Sequence, residues 1–159
     1  MKHGLAIIGF GGMGNWHWEN ISKRLPQLPV KGVWDIREEA GKKAAENGLY
    51  AYSSLNELLQ DPDIDLVTIA VPNNFHKPLA IDCLRAGKHV VCEKPVAMNA
   101  GELEEMIAAA RECGRVFSVH QNRRWDRDYV MVREAIRTQR IGTPYFIESR
   151  VQGSRGAMF

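Results

Sequence analysis

Short β-rich runs alternate with segments of helical period along most of this chain, the pattern of a parallel sheet covered by helices. Leu5-Ala6-Ile7-Ile8 is a continuous apolar run ending in glycine, as a strand buried on both faces does. A helix is predicted over residues 12–25, stopped by Pro26, then a strand over 30–35 and a helix over 37–47 that Gly48 closes. Ser54-Leu55-Asn56-Glu57 has the form of a capping box opening a short helix, which Pro62 ends. Residues 66–71, β-branched and almost wholly apolar, belong at the sheet centre. A helix over 76–86 and a strand over 89–92 follow. Asn99 then caps a helix on which Leu103, Met106, Ile107 and Ala110 recur at helical spacing, with Gly114 at its end. A further strand is predicted over 116–120, and Asp126 is placed to cap a last helix carrying Tyr129, Val132 and Ile136 on one face.

The tail reads differently. Residues 145–152 alternate, with Tyr145, Ile147 and Val151 on one face and Phe146, Glu148, Arg150 and Gln152 on the other. That pattern predicts a half-buried strand of an antiparallel or mixed sheet, with no partner after it. The expected architecture is α/β: a Rossmann-type doubly wound parallel sheet over residues 1–122. Residues 123–159 then form a linker helix and the first strand of a C-terminal α/β domain that the chain does not complete.

Composition narrows the class. At 159 residues, 45% hydrophobic and 25% charged, the chain is neither disordered nor fibrous. No apolar run is long enough to cross a membrane, and the five residues after Gly4 are too few for a signal-peptide core, so no membrane and a cytoplasmic location are expected. A net charge of +2, with basic residues scattered apart from Lys42-Lys43 and Arg123-Arg124, argues against nucleic acid. Cys83, Cys92 and Cys113 form no metal or redox pair and read as reduced, mostly buried thiols. The histidines are dispersed and lack helical pairing, so no metal is expected.

The candidate chemistry starts at Gly9-Phe10-Gly11-Gly12-Met13-Gly14, which fits G-x-G-x-x-G between the first strand and the first helix. Gly9 permits the tight turn, Gly11 lets backbone approach a pyrophosphate, and Gly14 permits close helix–strand packing. The free amides and positive helix end then hold the phosphates. Asp35 ends the second strand about twenty residues on, where an acid binds a ribose hydroxyl. A carboxylate there repels the 2′-phosphate of NADP, which favours NAD. Arg37 keeps NADP open, because its guanidinium could pair with that phosphate; otherwise it is a solvated residue in the next helix.

Two further turns narrow the reading. The central strand runs into Val71-Pro72-Asn73-Asn74-Phe75-His76, and the next into Cys92-Glu93-Lys94-Pro95. With the glycine loop and Gly14-x-x-His17, this resembles the Gfo/Idh/MocA family, which includes glucose–fructose oxidoreductase, inositol dehydrogenase and related sugar dehydrogenases. The resemblance runs from Lys2 to about Arg150 and implies an NAD(P)-dependent oxidoreductase acting on a sugar, cyclitol or similar polyol. It also implies a C-terminal domain supplying substrate contacts, a catalytic histidine and a homo-oligomer interface, and no histidine follows His120 here.

On that resemblance Lys94 is the catalytic candidate, hydrogen-bonding the substrate hydroxyl that loses its proton as hydride leaves. Pro95 keeps its backbone extended. Val71, Pro72 and Asn74 wall the cofactor cleft. Glu93 either holds Lys94, touches the nicotinamide ribose, or is a solvated acid. His76 either approaches that ribose or caps its own turn. His17, Trp16 and Trp18 read as packing and satisfied hydrogen bonds, with a tryptophan against adenine as the alternative. Asn122 or one of Arg123 and Arg124 reaches the polyol or cofactor, or the segment is an exposed basic hinge. The 159 residues are expected to bind dinucleotide with little turnover. A non-catalytic NAD(H)-sensing module is the competing class; it accounts for the loop and Asp35 but gives no reason for Glu93-Lys94-Pro95. A methyltransferase-like site for S-adenosylmethionine is disfavoured by Gly14.

Overall fold

The computed structural model describes residues 3–150. The strands β1 (Leu5–Ile8), β2 (Val30–Trp34), β3 (Tyr50–Ala51), β4 (Leu66–Ile69), β5 (His89–Cys92) and β6 (Phe117–Val119) form one sheet in the order β3-β2-β1-β4-β5-β6. Every pairing is parallel. The helices between them are α1 (Gly12–Arg24), α2 (Glu38–Glu46), α3 (Leu55–Gln60), α4 (His76–Arg85) and α5 (Ala100–Glu112). Strand order reverses at β1 and β4, the switch point where a doubly wound sheet opens a crevice beyond its carboxyl ends.

β1 shows why an unbroken apolar run was needed. Leu5 and Ile7 pack with Val33, Ala40 and Ala44 and against Trp18 and Ile21, on the face covered by α1 and α2. Ala6 and Ile8 pack with Val67, Val90, Leu58, Leu84 and Met106, on the face covered by α3, α4 and α5. All four β1 residues are buried, so neither face tolerates a polar side chain. The caps act locally. Ser54 Oγ accepts from the Glu57 N–H at 3.1 Å, and Asn99 Oδ1 from the Glu102 N–H at 3.0 Å. Glu57 reaches back one residue further than expected, to the Ser53 N–H at 2.7 Å.

Other expectations are corrected. β3, with only two residues, carries no readable period and was not predicted. β4 ends at Ile69 rather than 71, because Ala70 and Val71 turn tightly past Gly9. Asp126 makes no side-chain cap; its carboxylate pairs with Arg123 at 3.1 Å instead. Residues 145–150 form no strand, and Val151 and Gln152 lie outside the described residues. Among the described residues no helix is long and apolar enough to cross a membrane.

The chain divides into a first unit ending at Gln121 and a second beginning at Asn122. The second holds a 3-10 turn (Asn122–Trp125) and α6 (Arg127–Arg137), on which Tyr129 and Val132 are exposed.

Candidate functional site

The residue that follows each of β1, β4, β5 and β6 is bonded to the last residue of a neighbouring strand. The Gly9 N–H donates to Trp34 O at 2.8 Å, Ala70 to Ile8 O at 2.8 Å, Glu93 to Ile69 O at 3.0 Å and His120 to Cys92 O at 2.8 Å. Gly9, Ala70, Glu93 and His120 therefore stand level along the carboxyl edge of the sheet. Every turn singled out in the sequence up to His120 leaves from this edge.

The glycine loop is built by two different constraints. Gly9 has φ +89°, and a Cβ there would meet Ala70 O at 2.5 Å. A Cβ on Gly14 would fall 2.0 Å from Gly9 O, so α1 crosses β1 at backbone contact. Gly11 and Gly12 are constrained by nothing comparable. A Cβ on Gly11 would meet only Arg37 Nη2 at 3.5 Å, and one on Gly12 nothing within 4 Å. These two positions keep an open approach to the first turn of α1, which has no side-chain cap and no acidic residue. Its first amides lack intrahelical acceptors, so the loop fits the phosphates of a dinucleotide.

Phe10 and Met13 take different places. The Phe10 ring is buried against Trp18, its N–H donates to Asp35 Oδ2 at 2.7 Å, and it thus shapes the loop from inside. Met13 is exposed on the first turn. Asn15, not foreseen, donates from Nδ2 to Phe10 O and Gly11 O, both at 2.8 Å. It turns the loop carbonyls away from an approaching anion; an amide side chain one turn after Gly11 was the available signal.

Asp35 sits at the end of β2 with its side chain 5% exposed. Arg37 forks onto it, Nε to Oδ1 at 3.0 Å and Nη2 to Oδ2 at 2.9 Å, and the Arg37 N–H donates to Oδ1 at 2.9 Å. Burial pushes the Asp35 carboxyl up, but the Arg37 side chain and the Arg37 and Phe10 amides outweigh it and hold it below the usual carboxylate range. Arg37 is therefore paired to Asp35 rather than merely solvated.

A cavity of about 680 Å³ opens beside these groups, lined on one side by Gly9, Gly11, Asp35 and Arg37 and on the other by Val71, Pro72, Phe75 and Leu79. Val71 and Pro72 line this cavity. Asn74 is exposed in the 3-10 turn Asn73–Phe75 and is not part of the lining, whose work falls to Phe75, Pro78 and Leu79. A smaller cavity of about 320 Å³ lies on the other side of Arg37, with Lys43 and Glu39 on its rim.

His76 does not open onto the cavity. It is 1% exposed, with Nδ1 2.9 Å from Pro95 O and Nε2 2.9 Å from Val71 O. The Val71 bond closes its own turn, as one of the two readings expected, and the Pro95 bond ties that turn to the one after β5, which leaves neither ring nitrogen for a ribose. Lys94 and Pro95 are exposed at the end of β5, joined by a cis peptide bond. Asn122, the remaining cofactor candidate, opens the second unit at the start of its 3-10 turn.

Glu93 is buried rather than solvated. Its Oε1 accepts from His17 Nε2 at 2.8 Å and His120 Nδ1 at 2.9 Å, and its Oε2 from the Lys94 N–H at 3.0 Å. The histidines thought to be dispersed thus meet at one carboxylate, their candidate ligand atoms all within 4.8 Å. The distances are those of hydrogen bonds. Burial holds the His17 imidazole below its ordinary 6.5, with the His120 charge adding to this and the Glu93 bond and charge opposing it. Burial pushes Glu93 up, but the bonds from His17, Lys94 and His120 and the His120 charge outweigh it, leaving an ionised carboxylate below the usual range.

Both shifts make acid destabilising. Folded His17 binds fewer protons than the unfolded chain, so stability is full above about 6.5 and declines as pH falls through that value. Glu93 adds a second loss as pH falls from its ordinary range through its lower folded value. The thermal midpoint is expected to drop on acidification below about pH 6.5, with a smaller drop in His17→Gln, measured by circular dichroism across a pH series.

The comparisons with known proteins agree with the fold. Residues 4–121 match the Gfo/Idh/MocA model, described as an oxidoreductase family with an NAD-binding Rossmann fold. The chain belongs to that family. It is 35% identical over 145 residues to the uncharacterized oxidoreductase YrbE of Bacillus subtilis, and 32% identical over 145 to the myo-inositol 2-dehydrogenase of Thermotoga maritima. Each alignment covers 90% of this chain but only 42% and 43% of the relative, so the chain spans about two-fifths of their length. A solved NAD-binding protein from Listeria innocua is similar at 44% identity and a TM-score of 0.85, over 89% of this chain and 42% of that one. The WlbA dehydrogenase of Chromobacterium violaceum, solved with NADH and UDP-GlcNAcA, is similar at 30% identity and a TM-score of 0.83, over 89% and 41%.

Proposed function

We propose that this chain holds the dinucleotide of an oxidoreductase that moves hydride between NAD and a carbinol carbon of a sugar, cyclitol or similar polyol. The observation that carries this reading is the common edge: phosphate-ready amides, a ribose-binding acid and the Glu93-Lys94-Pro95 turn all leave the same ends of one parallel sheet. Similarity to two inositol 2-dehydrogenases, from Thermotoga maritima at 32% and Rubrobacter xylanophilus at 34% identity, supports the polyol class.

In this reading the amides of Gly11, Gly12, Met13 and Gly14 bind the pyrophosphate, and Asp35 meets the adenosine ribose after Arg37 yields one side of it. Phe75, Pro78 and Leu79 give the adenine end an apolar wall. Bound NAD supplies the hydride acceptor. Lys94 hydrogen-bonds the substrate hydroxyl as hydride leaves its carbon for NAD, and the hydroxyl proton passes to the catalytic histidine that the family resemblance places in the C-terminal domain. Substrate contacts and a homo-oligomer interface belong to chain beyond the Rossmann unit.

The test is a titration with NAD and NADP, followed by a panel of polyols and sugars on the protein as the cell makes it, read by NADH absorbance. NAD binding with turnover of at least one polyol supports the proposal; binding without turnover of any favours the sensing module. Arg37 sits on both cavities, so Arg37→Ala is expected to weaken NADP by about tenfold, the worth of one charge-assisted bond. NAD is expected to bind as well or better, because Asp35 is released. Calorimetry with both dinucleotides checks this.

A further inference from the structure

Glu93 is an enclosed acid on the carboxyl edge, 5% exposed, and the dinucleotide contacts assigned above give it no task. Three elements converge on it. His17 comes from α1, His120 from the end of β6, and the Lys94 N–H from the chain just beyond β5. The two imidazole rings meet edge to face at 4.6 Å, and Trp16 rests against both at 5.4 and 5.8 Å. Each imidazole gives one N–H to the same oxygen, so two neutral rings saturate Oε1 and leave Oε2 to the Lys94 amide.

A buried carboxylate is a poor source of net stability but a strict source of geometry, since moving any partner strands a charge. His17 lies one turn after Gly14, on the helix whose first turn faces the phosphates. We propose that Glu93 is a positioning residue for Lys94, with His17 and His120 as the braces that tie the Lys94 backbone to the glycine-loop helix. The separation between the Lys94 ammonium and a dinucleotide anchored at Gly11–Gly14 is then set by the His17–Glu93 bond, and not by β5 alone. This rests on the proposed role of Lys94.

The test compares Glu93→Gln, His17→Gln, which keeps a donor, and His17→Leu, which does not. Exchange of the Lys94 amide is followed by NMR, NAD affinity by calorimetry, and kcat and KM on the protein as the cell makes it. Glu93→Gln is expected to speed Lys94 amide exchange at least tenfold and lower kcat at least tenfold, with NAD affinity within threefold. His17→Leu should follow it, and His17→Gln should recover most of the loss. Should Glu93→Gln fail to fold, His120→Gln, at a partly exposed position, carries the same readouts. Parental exchange and kcat in these variants overturn the proposal, as does a parallel loss of NAD affinity, which marks a merely structural role. Dependence of folding or turnover on added zinc also overturns it in favour of coordination. Lys94→Met in the same assay separates the two claims: if it retains turnover, the Lys94 reading fails whatever the exchange data show.

Discussion

Gly14→Ala is expected to unfold the chain or to cost it on the order of 3 kcal/mol or more, whereas Gly11→Ala is expected to fold normally and lose the dinucleotide. The new methyl at Gly14 would sit 2.0 Å from the Gly9 carbonyl, a backbone atom held by the β1–α1 crossing. Relief requires α1 to lift from the sheet and expose the cluster around Ile7, Val33 and Ala44. Against a total stability of about 5–15 kcal/mol, that loss is large. At Gly11 the methyl meets only Arg37 Nη2, at an ordinary contact distance of 3.5 Å, and the φ of −79° suits alanine. The cost is then at most about 1 kcal/mol, for a poorer N-cap. The methyl does enter the space through which a pyrophosphate reaches the amides, so NAD affinity should fall by about 30- to 100-fold. Thermal melts and NAD titrations of both variants decide the matter, because a loop that only closes a turn gives no such split.

Lys94→Met is expected to lower turnover by about 10²–10⁴-fold, the usual worth of a group positioned for the proton-transfer step, and to leave NAD affinity nearly unchanged. Lys94 is exposed, so methionine, similar in length and without charge, does not disturb the fold. It stands at β5, with β4 between it and the β1 glycine loop, so its loss removes no phosphate contact. Stopped-flow and steady-state assays on the protein as the cell makes it read the effect. A sensing module would show no catalytic loss.

The legible parts of this molecule were those written in short-range pattern. β1 and β4 declared themselves because strands buried on both faces need continuous apolar side chains, and the Ser54 and Asn99 caps because their partners lie three residues away. The glycine loop was readable because its spacing answers a local geometric demand. Long-range convergence was not. His17 and Glu93 are 76 positions apart and Glu93 and His120 are 27 apart, and no periodicity links them. His76 looked like a ligand because a histidine after a turn suits that role, yet two carbonyls from different turns claim its ring. The alternation of residues 145–150 assigned faces to a strand, but a strand also needs a neighbour to bond, and these residues adopt none. The place of Asn74 beside Pro72 suggests a wall residue, whereas the lining beyond Pro72 comes from Phe75, Pro78 and Leu79.

The central claim is that the amides opening α1 hold the phosphates of NAD. The most direct measurement is the amide spectrum of ¹⁵N-labelled chain during NAD titration. The account predicts the largest saturable shifts at Gly11, Gly12, Met13 and Gly14, with smaller ones at Asp35 and Val71. Unmoved loop amides at saturating NAD, or shifts centred elsewhere, would contradict it.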